Sequence, residues 1–374
     1  MALWACTGCM PLDDWSSYRA ANTQAADTAP SATDDGTLGA DAGAPSGADD
    51  AVTGTVDEPA VSLDAGAPLD EASPESDPGE GSAPPTAGGS EPDAGTFAEQ
   101  PPETLVGQSR QTLQVAGLQR SFIYYAPADL DPSVPVPVLI VAHGFEQTAD
   151  DMVAITGYDT IADREGFVVL YPEGQGAEGQ GAEGQGAAAW NIGSQVCESA
   201  EFEVASASGD DSALVDAMLA FVAAERRIDQ EHVFMSGLGS GAYLAHELAC
   251  RRSDIRAIAA HSGGSHSLQG CAAAPKPVLV LHGTEDSLVP PSCGVEAGER
   301  WVEHNGCTSE VETIEVQGGL CDVSRDCPVD GTVALCAFVG MGRGWAGGAA
   351  QAESYLDFAS ASELSWRFFE LHAW

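Results

Sequence analysis

The sequence predicts an α/β fold over residues 106–374, with a mainly parallel sheet covered by helices on both faces. Three observations predict it. Continuous apolar runs of strand length recur at 135–144, 167–172 and 277–283, as expected of strands buried on both sides. Segments with helical spacing alternate with those runs. A short strand at His232–Ser236 also runs straight into a glycine-rich turn and then a helix.

The elements follow in order. Ser121 to Ala126 is a strand closed by Pro127, and Pro135 to Gly144 is a buried strand. Ala154 to Glu165 is helical, and Phe167 to Pro172 is the next strand. A small repeat of Gly, Gln, Glu and Ala at 174–187 is too glycine-rich to pack and reads as a surface loop insertion. Ser212 to Arg226 is a helix with Ala213, Leu214, Ala217, Leu219 and Phe221 as its apolar positions. His232 to Ser236 is a strand, and the helix after the turn runs through Cys250. Strands at Ile255–Ser262 and Pro277–Gly283, a helix at Gly294–Glu303, strands at Val311–Val316 and Val333–Val339, and a helix at Ser362–Leu371 complete the domain.

What precedes the domain is different in kind. Residues 11–105 are dominated by Asp, Ala, Gly, Pro, Ser, Thr and Glu, with Asp-Ala-Gly at 41–43, 64–66 and 93–95. Arg19 is the one basic residue up to position 105. So few large apolar side chains cannot offset the entropy of ordering, and the expectation is a disordered, self-repelling tether. The Asp repeats lack ligands at the fixed offsets of a calcium loop. Residues 1–10 resemble the end of a lipoprotein-type signal, with Leu3-Trp4-Ala5-Cys6 as the lipobox-like stretch. A lipid anchor on Cys6 or Cys9 and a secreted or cell-surface location on a bacterium are the corresponding expectations.

Charge excludes whole classes of partner. Lys and Arg total 14 against 57 Asp and Glu, a formal net charge of −43. Nucleic acid and anionic membranes are therefore poor partners. Eight of the ten cysteines lie between Cys197 and Cys336. An even number in one domain fits disulfides and an oxidising compartment, with the pairing left open among 105 connectivities. Cys321 and Cys327 lack zinc-knuckle spacing, so no metal is expected.

The chemistry concentrates at the turn Gly237-Leu238-Gly239-Ser240-Gly241. A strand–turn–helix with small residues around a strained centre is the setting of a nucleophile elbow. Further marks are His143-Gly144-Phe145, the stretch Ala162 to Glu173, His282 to Asp286 with Val289-Pro290, and Trp301 with Asn305-Gly306-Cys307. On these residues the chain from about position 119 onward resembles the secreted polyhydroxybutyrate depolymerase/feruloyl esterase-like family of the α/β-hydrolases. The resemblance implies an α/β-hydrolase fold, ester hydrolysis by a Ser-His-Asp triad, and neither metal nor organic cofactor.

Carried over residue by residue, the triad is incomplete. The nucleophile position falls on Gly239, the acid on Asp286, and the base on Arg343 in Gly342-Arg343-Gly344-Trp345. Glycine has no attacking group, and arginine stays protonated and cannot act as a general base. The oxyanion region is Phe145, Glu146 and Ser240, with Glu146 where the family usually has glycine. A carboxylate there opposes developing negative charge. The expected function is an exported esterase-like protein that has lost serine-hydrolase chemistry and binds a polymer, glycan or ester. The alternative is an active ester hydrolase using Ser240, with a base among His143, His246, His261, His266 and His282. Asp286 and Arg343 are expected to pair; Trp190 and Trp345 read as core or rim packing, with an aromatic-lined ligand groove as the alternative.

Overall fold

The computed structural model describes residues 104–176, 188–192, 197, 209–266, 268, 270–308, 310–328, 331–349, 351 and 355–373. The signal-like start, nearly all of the acidic tether and most of the 174–187 insertion lie outside the described residues.

Twelve strands and six helices make up the described chain. In order they are β1 (Gly107–Val115), β2 (Leu118–Ala126), β3 (Val136–Ala142), α1 (Ala149–Thr156), α2 (Tyr158–Glu165), β4 (Val168–Pro172), β5 (Gln175–Gly176) and β6 (Ala188–Ala189). Then come α3 (Asp211–Glu225), β7 (Ile228–Leu238), α4 (Ser240–Arg251), β8 (Ile255–His261), β9 (Val278–Gly283) and α5 (Pro291–Asn305). The last are β10 (Glu312–Val316), β11 (Gly319–Ser324), β12 (Val333–Phe338) and α6 (Ala361–Ala373).

Ten strands form one sheet in the order β1-β2-β4-β3-β7-β8-β9-β12-β11-β10. The six central strands, β4 to β12 in that order, are mutually parallel, and the hairpins β1–β2 and β10–β11 flank them antiparallel. The apolar runs therefore occupy the doubly covered centre, where β3, β4 and β9 are buried almost throughout. One core packs α1, α2 and α6 onto the sheet through Met152, Tyr158, Phe167, Phe234 and Trp366. The other packs α3, α4 and α5 through Leu214, Met218, Tyr243, Leu248 and Trp301.

Several elements depart from the sequence expectation. Strand β1 was not signalled, because its side chains alternate exposed and half-buried and only Leu113 and Val115 are large and apolar. It forms because β2 presents a full antiparallel edge to it. Strand β11 escaped for a similar reason: it is short and pairs between β10 and β12. The helix expected at 154–165 is two helices, α1 and α2, separated at Gly157 with φ +63°. That left-handed residue ends α1 at a position suited to glycine, and a Thr148–Asp151 capping box starts α1 upstream of the expected point.

All eight cysteines of the domain pair: Cys197–Cys293, Cys250–Cys271, Cys307–Cys327 and Cys321–Cys336. On the chain-entropy account each loop of this size adds roughly 3–5 kcal/mol. Such a set fits an oxidising compartment. No helix among the described residues is long and apolar enough to cross a membrane.

A buried ion pair joins β2 to the start of α3. Arg120 Nη2 donates to Asp211 Oδ1 at 2.8 Å, and Asp211 Oδ2 accepts the Asn191 amide at 2.7 Å. Arg120 also reaches the Glu173 carbonyl at 3.3 Å. Asp211→Ala leaves the arginine buried without its anion, which should cost about 3–5 kcal/mol. Urea unfolding of the variant checks this; an unchanged midpoint would contradict it.

Candidate active site

Four loops at the carboxyl ends of parallel strands converge, as open α/β sheets dictate. They follow β3 (His143 to Glu146), β7 (Gly239 and Ser240), β9 (Asp286) and β12 (Arg343). Residues scattered over about 200 positions of sequence are thereby brought to one end of the sheet.

The turn between β7 and α4 is built around Gly239, which carries no side chain. Gly239 sits between β7 and α4 with φ +57° and ψ −114°. A Cβ on Gly237 would lie 2.3 Å from the Gly241 carbonyl oxygen, and one on Gly241 would lie 2.3 Å from that of Ala142. Both outer glycines are thus demanded by close backbone approach, and α4 passes directly over the end of β3. The Gly239 amide donates to the His261 carbonyl at 2.9 Å, which ties the elbow to β8.

Arg343 reaches across to that elbow. A Cβ placed on Gly239 would lie 2.9 Å from Arg343 Nη2, and one on Gly144 would lie 3.0 Å from the same atom. The guanidinium thus occupies the space a side chain at position 239 would enter. Its loop is fixed by neighbours: the Glu285 amide donates to the Met341 carbonyl at 2.9 Å, and the Gly340 amide to Thr284 Oγ1 at 2.9 Å. A Cβ on Gly283 would strike the carbonyls of Met341 and Gly342 at 2.2 and 2.4 Å, so this approach requires glycine. Burial lowers the guanidinium pKa from its ordinary value, and the charges of Asp286 and Glu146 act the other way.

The expected Asp286–Arg343 pair does not form. No ion pair of 4.0 Å or less joins them among the described residues. Asp286 Oδ1 accepts the amides of Leu288 and Val289, both at 2.9 Å, in a tight local turn. Oδ2 is buried without a hydrogen-bond partner, 3.6 Å from His282 Nε2. The turn holds the carboxylate on its own loop while Arg343 extends toward the two glycines. Charge attraction survives at a distance; contact does not.

Ser240 is the first residue of α4 and is only 4% exposed, and its Oγ has no hydrogen-bond partner. The histidines named as alternative bases are engaged elsewhere or point to other groups. His143 Nε2 accepts the Gly174 amide at 2.8 Å, so Nδ1 donates to the Gly144 carbonyl at 2.7 Å. His246 Nδ1 accepts from Trp301 Nε1 at 2.9 Å. His261 stacks on Trp345 with ring centres 3.6 Å apart, and its Nε2 is 3.4 Å from Ser365 Oγ. His282 Nε2 meets the Val289 carbonyl at 2.9 Å, and the His266 ring lies beside Tyr243. Burial lowers the pKa of His143 to about 4 and of His246 to about 3, and lowers those of His261 and His282 as well.

In the oxyanion region Phe145 is half-buried and Glu146 exposed. Glu146 has φ +63°, a left-handed conformation that disfavours a side chain by roughly 1–2 kcal/mol. The loop is held by Gln147, whose Oε1 accepts the Gly144 amide at 2.9 Å.

Trp190 and Trp345 do not line a groove. Both are fully buried, and they belong to cores on opposite faces of the sheet. Trp190 Nε1 donates to the His143 carbonyl and Trp345 Nε1 to Ser362 Oγ, each at 2.8 Å. A ring with its one polar atom satisfied internally packs as core. The cleft is built from other residues, among them Gln147, Ile155, Leu238, Ser287, Arg343 and Tyr355, and has a volume of about 570 Å³. Of these only Leu238, in the elbow motif, and Arg343 belong to stretches the sequence marks; the rest are unremarkable until the loops converge.

Comparison with known proteins follows this geometry. Residues 121–289 match the family model described as esterase PHB depolymerase, a stretch that includes the elbow and the Asp286 turn but ends before Arg343. A probable feruloyl esterase C of Aspergillus terreus is 37% identical over 108 residues, covering 28% of this chain and 39% of the relative. Its Aspergillus niger counterpart is 30% identical over 191 residues, covering 50% of this chain and 63% of the relative. The match thus spans less than two thirds of the length of either relative. Among solved structures, an acetyl xylan esterase from Aspergillus awamori superposes with a TM-score of 0.49 at 16% identity, over 63% of this chain and 94% of that one. Residues 121–289 thus carry the sequence of the esterase PHB depolymerase family, and the mainly parallel sheet with its elbow-type turn is of the α/β-hydrolase type.

Proposed function

We propose that this domain is an exported, non-catalytic relative of the ester hydrolases that binds a ligand in the remnant of the catalytic cleft. One observation carries the reading: the Arg343 guanidinium lies against the position a side chain at 239 would take, with Nη2 2.9 Å from a Cβ there. The loss of nucleophile and the gain of arginine are then one coordinated change. Ser240 does not substitute, since its buried hydroxyl has no basic partner. A serine without an adjacent base remains a weak nucleophile. The four disulfides support export. The similarity to feruloyl esterases supports an ester, or the polymer or glycan bearing it, as the ligand class.

Treatment of the oxidised domain with a fluorophosphonate probe, followed by peptide mass spectrometry, tests this without assuming a substrate. No serine adduct is expected under conditions where an active family member labels fully. An adduct on Ser240 would establish the other reading, an active hydrolase with a shifted nucleophile.

A further inference from the structure

We propose that Arg343 makes the remnant cleft a binding site for a single carboxylate, so that the domain recognises an organic monoacid. This deepens the non-catalytic reading above and rests on it.

The guanidinium is a cation with its donors unspent. Its Nε is buried without a partner, and no hydrogen bond or ion pair joins any of its nitrogens to a described residue. Arginine offers five donors in a planar fork that matches a carboxylate. Leaving such a group half-buried and unpaired is costly unless a ligand answers it. The residue that follows Gly239 is also unanswered: Ser240, 4% exposed at the start of α4, has a buried Oγ with no partner. The positive end of α4 adds to the attraction for an anion at this point.

Charge distribution sets the valence. Among the described residues that line the cleft Arg343 is the one cation, while Asp151 and Glu285 are exposed acids of the same lining. The charges of Asp286 and Glu146 also act on the guanidinium. A monoanion gains from Arg343 with limited repulsion, whereas a multiply charged anion meets four carboxylates with one cation to offset them. The remaining walls include Ile155, Leu238 and Tyr355, which suit an apolar or aryl body behind the carboxylate.

Calorimetric titration of the full oxidised chain with sodium benzoate, benzamide and sodium sulfate tests the assignment. Benzoate should bind about tenfold or more tighter than its uncharged amide, as a charge-assisted fork requires. Sulfate should bind more weakly than benzoate. Arg343→Gln should abolish the preference for benzoate while circular dichroism and thermal midpoint stay unchanged. Arg343→Lys, which keeps the charge and loses the fork, should fall between. Equal binding of benzoate and benzamide, sulfate as tight as benzoate, an intact preference in Arg343→Gln, or no binding of any of the three at millimolar concentration would each overturn it. The labelling experiment reads the other question independently: a serine adduct beside an intact benzoate preference removes the non-catalytic reading and spares the site. Silence toward the probe with no preference does the reverse.

Discussion

Gly239→Ser alone is expected to give neither a fluorophosphonate adduct nor hydrolysis of p-nitrophenyl acetate above buffer, whereas Gly239→Ser combined with Arg343→His gains both. The single variant puts a side chain against the guanidinium, 2.9 Å from the new Cβ, and supplies no base. The double variant removes the obstruction and introduces an imidazole. Asp286, the acid position that the family resemblance implies, is held by two backbone amides and keeps Oδ2 buried with no hydrogen-bond partner. The strained backbone of the elbow is also present, at φ +57° and ψ −114°. A general base contributes about 10²–10⁴ in rate, so the double variant should exceed the single one by at least about 10². A side chain at position 239 also carries backbone strain on the order of 1–3 kcal/mol, and both variants should melt below the parent. Single-variant labelling as fast as that of the double would show that Arg343 does not obstruct position 239.

Acid should unfold the domain before its carboxylates titrate. His143 and His246 are held neutral by burial, with pKa values lowered to about 4 and about 3, and His261 and His282 shift the same way. In the unfolded chain each binds a proton near pH 6.5. Between pH 6.5 and about 4 the unfolded state therefore takes up protons that the folded state refuses, and unfolding becomes easier as pH falls. The contribution of these histidines is fully present above pH 6.5 and is lost on acidification. Each adds about 1.4 kcal/mol per pH unit within its window. By pH 4.5, His143 and His246 together remove on the order of 5 kcal/mol, and the other two add to the loss. Asp159 and Glu173, whose pKa values are raised first of all by burial, oppose the trend, and do so only nearer the carboxylate range. Differential scanning calorimetry should show a melting temperature at least about 10 °C lower at pH 4.5 than at pH 7. A flat profile over that interval would mean that the histidines can be protonated within the fold.

Much of this architecture is legible because its causes are local. A continuous apolar run such as Val138 to Ala142 specifies a strand with two covered faces wherever it occurs. The glycine spacing at 237–241 specifies a turn in which backbone approaches backbone, and the structure supplies the clash at 2.3 Å that enforces it. That Gly239 has no side chain and that Arg343 is a cation at ordinary pH hold whatever the fold. The edge strands were less legible. Residues Gly107 to Val115 and Gly319 to Ser324 take their conformation from the partner strand beside them and have little apolar pattern of their own.

The sequence by itself determined the α/β class, the loops that meet at the carboxyl ends of the strands, and the presence of glycine at 239 and arginine at 343. The tertiary structure alone decided which cysteines pair, that Trp190 and Trp345 lie in cores on opposite faces of the sheet, and that Arg343 reaches the glycines at 144 and 239 and not Asp286. Periodicity and residue chemistry act over a few positions and can be read from the chain. The direction of a long side chain is set by competing contacts among residues a hundred or more positions apart, and those contacts exist only once the sheet has assembled.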